Sequence, residues 1–164
     1  MNIREEKDTD INRIAEIHNR AFNGPTEARI INKLRKNGNL TISLVAETDG
    51  KILGHISYSP MYNKNKEVIG IGLAPVAVLP SHKKKGIGSE LIRKGNDIAL
   101  SKGYTRIFVL GDPAYYSRFG FRIAKQYNYY SYFDPDGNHF MVTGVQLKKE
   151  PGKLFIDYCT EFNI

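Results

Sequence analysis

The sequence predicts an α+β fold: a mixed, mostly antiparallel sheet flanked by helices, with one β–α–β crossover at its centre. Three observations predict it. Leu40–Glu47 and Lys51–Ser59 are strand-like runs joined by Thr48-Asp49-Gly50, a strong hairpin signal. The run Leu73–Leu79 leads through a glycine-bearing loop into a helical pattern, and then into Tyr104–Leu110, which is almost wholly apolar, as a buried strand is. Two stretches with helical periodicity come before all of these.

Taken in order, Asn2–Glu6 is a short candidate strand. Asp8-Thr9-Asp10 supplies capping side chains for a helix in which Ile11, Ile14, Ile17, His18 and Phe22 recur at helical spacing. Asn23-Gly24-Pro25 marks a turn. Thr26–Lys36 reads as a second helix with Ile30, Ile31 and Leu34 inward, closed by Asn37-Gly38-Asn39. After the hairpin, Tyr62–Lys66 is turn-like and Glu67 opens a long fourth strand. Pro75 inside that strand predicts a bulge or a local loss of pairing, and Pro80 ends it. From Gly86 a helix follows, with Ile87, Leu91, Gly95 and Ile98 on one face. Gly111-Asp112-Pro113 launches a short helix with proline at a favoured first position. Phe121–Lys125 and Phe140–Leu147 read as later strands, and the tyrosine cluster at 127–132 reads first as a strand with aromatic packing and second as the wall of a binding site or an interaction surface.

Composition bounds the class. The 164 residues suit one domain, 1–164, with a proper core. A hydrophobic fraction of 41% and a charged fraction of 25% are those of a soluble globular chain. No apolar run reaches membrane-spanning length, and Met1-Asn-Ile-Arg lacks the apolar core of a signal peptide. The single cysteine, Cys159, excludes an intramolecular disulfide and a cysteine-rich zinc site, and fits a reducing cytoplasm. No two histidines sit at ligand spacing, so no metal is expected. The net charge of +7 favours an anionic ligand, for which nucleic acid is the weaker candidate.

The stretch that carries chemistry is Leu73–Ile92. A strand feeds a loop whose Gly86 and Gly88 open a helix, with Lys83, Lys84 and Lys85 beside them. Unpaired N–H groups converge at such a helix start, the helix dipole points its positive end there, and glycine lets phosphate oxygens reach the backbone. This is a phosphate cradle. It lacks the G-x-x-x-x-G-K-S/T spacing of a nucleotide loop and the third glycine of G-x-G-x-x-G.

Lys83-x-x-Gly86-x-Gly88 resembles instead the pyrophosphate loop of the GNAT superfamily of N-acetyltransferases, Gln/Arg-x-x-Gly-x-Gly/Ala, with Lys83 departing at the first position. Tyr116-Ser-Arg-Phe-Gly120-Phe121 matches the family's Tyr-x-x-x-Gly-Phe. The two motifs in this order, with a helix and a strand between, resemble the YhbS-like branch of predicted N-acetyltransferases over roughly residues 1 to 147.

That resemblance implies the GNAT fold, in which the fourth and fifth strands splay into a V-shaped cleft. It implies acetyl-CoA (coenzyme A) as cosubstrate and a primary amine, on a small molecule or a peptide, as acceptor. Attack is then direct, in a ternary complex. Val76, Ala77 and Val78 would meet the pantetheine arm and polarise the thioester carbonyl. Lys83, Lys84, Lys85, Gly86, Ile87, Gly88 and Ser89 would hold the pyrophosphate, with Asp112 and Tyr115 alongside, although Tyr115 also reads as packing. Tyr116 is the expected general acid. Many family members carry a glutamate base on the fourth strand, yet Val68–Ser89 holds no carboxylate, which leaves Asp112, Glu27 or a water chain. Asp112 reads equally as a helix cap. His18 is expected to pack at the core edge, His55 to pack or to line the acceptor pocket, and His82 to be exposed. A homodimer stays open. The alternative reading is a catalytically silent CoA-binding or nucleic-acid-associated module.

Overall fold

A computed structural model describes residues 1–164. The elements run β1 (Asn2–Glu5), α1 (Ile11–Phe22), α2 (Thr26–Lys36), β2 (Ile42–Thr48), β3 (Lys51–Tyr62) and β4 (Val68–Val78). Then come α3 (Ile87–Ser101), β5 (Arg106–Leu110), α4 (Pro113–Tyr116), β6 (Arg122–Ile123), β7 (Tyr129–Tyr130), β8 (Phe140–Gly144) and β9 (Leu154–Phe155). Seven strands form one sheet in the order β1-β2-β3-β4-β5-β8-β6, and β7 and β9 form a two-stranded parallel pair. Within the large sheet every pairing is antiparallel except β4–β5.

Helix α1 buries Ile14, Ile17 and His18, the inward positions of its periodic face, and ends at Asn23 in the left-handed conformation. Its start differs from expectation. Asp8–Asp10 form a single 3-10 turn, and the Asp10 carboxylate accepts from the Lys7 N–H at 2.7 Å instead of capping α1. Arg4 then clamps Asp10 at 2.8 Å and Glu47 at 2.7 Å, tying this turn to β1 and β2.

The hairpin turns at Asp49 and Gly50, both left-handed, as the Asp-Gly pair requires. Strand β3 runs on through Pro60 to Tyr62, past the expected end at Ser59. Tyr58 and Tyr62 bond away from β4, to Thr41 and Asp157. By strand alternation the Pro60 nitrogen points to that same side, where β2 has ended and no N–H is called for.

The bulge expected at Pro75 is present. Ile56 pairs with Val76 and Tyr58 with Leu73, so Ala74 and Pro75 stand opposite Ser57 alone. The Ser57 hydroxyl reaches both of their carbonyls, at 3.0 and 3.2 Å. Beyond this point the sheet opens. Only Ile71–Ile107 and Gly72–Phe108 pair β4 with β5, so the C-terminal half of β4, Leu73–Val78, has no partner on that side. This is the V-shaped splay.

Helix α3 packs on the sheet through Ile87, Leu91, Ile92, Gly95, Asn96 and Ala99, while Ile98 is only half-buried. A Cβ on Gly95 would collide with the Tyr58 ring, whose hydroxyl donates to Asn96 Oδ1 at 2.8 Å. No helix is long and apolar enough to cross a membrane.

The later strands are shorter than the sequence suggests. Chain 124–127 coils into a 3-10 turn that stops at Asn128 in the left-handed conformation, limiting β6 to Arg122–Ile123. Strand β8 stops at Gly144, where a Cβ would meet the Thr105 carbonyl oxygen, so no side chain fits against this backbone. Tyr129 is buried and Tyr130 half-buried in β7, which the C-terminal β9 covers. In a second core Tyr129 meets the Phe108 ring edge-on at 5.5 Å and Phe140 stacks on it at 5.3 Å.

Candidate active site

Two grooves meet at the splay. The first, of about 590 Å³, runs along Val76, Ala77 and Val78 at the end of β4 and under the first turn of α3. The loop between them reverses through Lys84 and Gly86, both at positive φ, and delivers Gly86, Ile87, Gly88 and Ser89 to the groove wall. No side chain caps α3, so the free N–H groups of its first turn have no protein partner from a cap. A Cβ on Gly88 would stand 3.3 Å from the Tyr115 hydroxyl and 3.7 Å from Val78 Cγ2, in the gap between them. His82, Lys83, Lys84 and Arg118 complete the lining, which holds no carboxylate. A bare helix start, an open glycine and a wholly basic rim fit a pyrophosphate.

Two expected members stand elsewhere. Lys85 does not line this groove. Asp112 does not either: its Oδ1 accepts from the Ala114 N–H at 3.1 Å, which makes it the cap of α4. Two members were not expected, His82 and Arg118. Arg118 lies over the Tyr115 ring at 5.3 Å, and its signal was a basic residue inside the tyrosine motif.

The second groove, of about 330 Å³, lies on the other side of the bulge. Phe22 at the end of α1, Glu27 and Ile30 of α2, the bulged Leu73–Val76, the end of β5 and Phe162 enclose it. Val76 borders both grooves. Tyr116 lines the second one. Its ring packs edge-on against Phe121 and Tyr115, at 5.8 and 5.1 Å, and tightly over Gly111, where a Cβ would collide with it. Burial, helped by Tyr115, pushes the Tyr116 hydroxyl up to about 12. It is therefore protonated at neutral pH and able to donate. Glu27 is the one charged side chain in this groove.

His55 lines neither groove. It is fully buried, with Nδ1 2.9 Å from His18 Nε2 and Nε2 2.8 Å from the Ser43 hydroxyl. Ser43 in turn donates to Glu6, which Arg35 holds at 2.7 and 2.9 Å. With Ser43 spending its proton on Glu6, His55 must donate through Nε2 and accept at Nδ1, so His18 donates through Nε2. That leaves His18 Nδ1 as a bare lone pair, and it is the ring nitrogen without a partner. Burial raises the Glu6 carboxyl, but the His55 imidazole 3.8 Å away and the hydrogen bonds from Arg35 and Ser43 outweigh it and hold it well below the usual carboxylate range. Burial pushes both imidazoles down, His18 to about 3, with the neighbouring His55 adding to that fall. This chain is core architecture. His18 packs, as its place on the helix face suggests, and His55 packs and does not line the second groove.

Cys159 is buried beside Ile30 and Leu34, and its thiol donates to the Pro60 carbonyl at 3.4 Å. Burial raises its pKa, the reverse of what an activated nucleophile needs.

Known proteins share this architecture. Residues 11–121 match the model of the acetyltransferase (GNAT) family. The chain is 36% identical over 129 residues to an uncharacterized N-acetyltransferase, YhbS, of Escherichia coli strain K12, a match covering 78% of this chain and 77% of that one. The crystal structure of Escherichia coli YhbS in complex with CoA superimposes with a TM-score of 0.88 at 30% identity, over 99% of this chain and 92% of the other. A GNAT family acetyltransferase from Brucella melitensis in complex with acetyl-CoA superimposes with a TM-score of 0.82 at 33% identity, over 98% and 97% of the two chains. With its cleft, its glycine loop and these relatives in agreement, the chain belongs to the GNAT family of acetyltransferases.

Proposed function

We propose that residues 1–164 form one catalytic domain, an acetyl-CoA-dependent N-acetyltransferase that moves an acetyl group to a primary amine by direct attack in a ternary complex. The observation that carries this reading is Val76. It is the one residue that borders both the basic groove and the groove holding Tyr116 and Glu27. A thioester lying along β4 from the basic side reaches the second groove at that point. The relatives crystallised with acetyl-CoA and with CoA support the choice of cosubstrate.

Bound acetyl-CoA supplies an activated acetyl carbonyl. The amides of Gly86–Ser89, with Lys83, Lys84 and Arg118, hold its pyrophosphate, and the unpaired edge of β4 meets its pantetheine amides as an added strand would. A backbone N–H of Val76–Val78 polarises the carbonyl. Glu27 accepts the proton the amine sheds as the C–N bond forms. Tyr116 gives its proton to the sulfur as the C–S bond breaks, so amide and thiol leave neutral and solvent restores Tyr116. The lone Cys159 suits a reducing, cytoplasmic setting.

Thermal shift with acetyl-CoA, paired with a thiol-release assay over a mixed amine panel, tests this reading. A rise in melting temperature with acetyl-CoA, together with amine-dependent thiol release, is expected. Oligonucleotide binding with no response to acetyl-CoA would overturn it in favour of a nucleic-acid module.

A further inference from the structure

The acceptor groove does not end at Phe162. A second apolar hollow, of about 250 Å³, shares Ala74, Leu110 and Phe162 with it and adds Phe133 and Tyr158. Its five lining side chains are all hydrophobic. Phe133 and Phe22 stand at the rim, 59% and 42% exposed, among the few large apolar side chains the surface leaves uncovered. Across both hollows Glu27 is the only charge.

Resting on the transferase reading above, we propose that the acceptor is a small primary amine with a single cationic centre on an apolar, aromatic or aliphatic, body. The ammonium pairs with Glu27 in the groove that Tyr116 also lines and sheds one proton to solvent before the neutral amine attacks. Its second proton goes to Glu27 as the C–N bond forms, and the body lies along Leu110, Phe162 and Phe133. Three arguments select this class. A second ammonium, as in a polyamine or an aminoglycoside, would sit against an apolar wall with no counter-charge, which is costly. The chain carries a net +7, so polycations are repelled on approach while one ammonium needs only Glu27. A peptide would bring backbone amides into a lining with almost no polar partner for them. The hollow of about 330 Å³ nearest Tyr116 is also at the small-ligand end of pocket sizes.

The test uses the full chain saturated with acetyl-CoA and measures kcat/KM by thiol release. The probes are 2-phenylethylamine and hexylamine against spermidine, kanamycin and a tetrapeptide beginning with alanine. An apolar amine is expected to exceed every polar probe by about tenfold or more, the scale on which apolar pockets discriminate. Phe133→Ser, at an exposed position, and Phe162→Ala are each expected to lower kcat/KM for the apolar amine by roughly fivefold or more, leaving acetyl-CoA affinity by calorimetry unchanged. Turnover of spermidine, kanamycin or the peptide at an equal or higher kcat/KM would overturn the substrate class and leave the transferase reading standing. So would turnover of none of the apolar amines by a protein that binds acetyl-CoA. Failure to bind acetyl-CoA at all would remove both.

Discussion

A Cβ on Gly88 would stand 3.3 Å from the hydroxyl of Tyr115, so a bulky side chain there would fill the gap between α3 and α4. Filling it separates binding from folding. Gly88→Val is expected to weaken acetyl-CoA by about tenfold, equivalent to about 1.4 kcal/mol, with the melting temperature nearly unchanged. Gly86 is a poorer test because its φ of 83° strains any side chain, so Gly86→Val loses stability as well as affinity. Calorimetric titration of both variants decides; wild-type affinity in Gly88→Val would remove the loop from the cosubstrate site.

Charge in the same groove is unequal. Arg118 lines it and stacks on Tyr115, whereas Lys85 stands outside. Arg118→Ala is expected to weaken acetyl-CoA roughly fivefold, and Lys85→Ala by less, with both effects shrinking as salt rises. Equal losses would mean that the basic rim acts only as a diffuse field.

Of the candidates for the base, Asp112, Glu27 or a water chain, Glu27 lines the second groove and Asp112 caps α4. Glu27→Gln is expected to cost about 10²-fold in kcat/KM for the amine, the scale of a lost proton acceptor. Asp112→Ala is expected to cost stability, about 1 kcal/mol for a lost helix cap. Steady-state kinetics and thermal unfolding of both variants check the division. The reverse pattern would return the base to Asp112.

The buried His18–His55 pair makes stability depend on pH. Both imidazoles titrate lower in the folded chain than the ordinary 6.5, so the unfolded chain binds more protons below that pH. Their contribution is complete above about pH 6.5 and is lost as pH falls, by up to about 1.4 kcal/mol per pH unit for each histidine. The depressed carboxylates, Glu6 among them, act lower, below about 4.5. Urea unfolding between about pH 6.5 and 5 should therefore show falling stability, with a shallower slope in His18→Gln, which keeps a donor toward His55 but does not titrate. A flat profile in the wild type would contradict the neutral, donor-ordered chain.

Much of this was legible in the sequence because it is local. Helical spacing fixed the inward faces of α1 and α2, Asp49-Gly50 fixed the hairpin, and Pro75 marked the bulge. The glycine loop and Tyr116 were legible through their motifs, and the splay only through the resemblance those motifs carry. What escaped depends on distant chain. The parallel pairing of Tyr129–Tyr130 with Leu154–Phe155 has no local signature. His18 and His55 lie 37 residues apart, and nothing at either position announces the other. Glu27 reaches the groove only because the α1–α2 turn sets the start of α2 beside the opened β4, which no periodicity encodes.

Tyr116, in the groove that meets the basic one at Val76, is proposed to protonate the leaving thiolate. Its hydroxyl, pushed up to about 12 by burial, is a donor across the whole working range. The sulfur becomes charged only as its bond to the acetyl group breaks, so that donor favours the transition state over the bound thioester. Tyr116→Phe keeps the ring against Phe121 and removes only the proton. Steady-state thiol release with an accepted amine, alongside calorimetric acetyl-CoA affinity, is the direct measurement. kcat is expected to fall by about 10²-fold or more with affinity nearly unchanged; undiminished kcat in Tyr116→Phe would contradict this role for Tyr116.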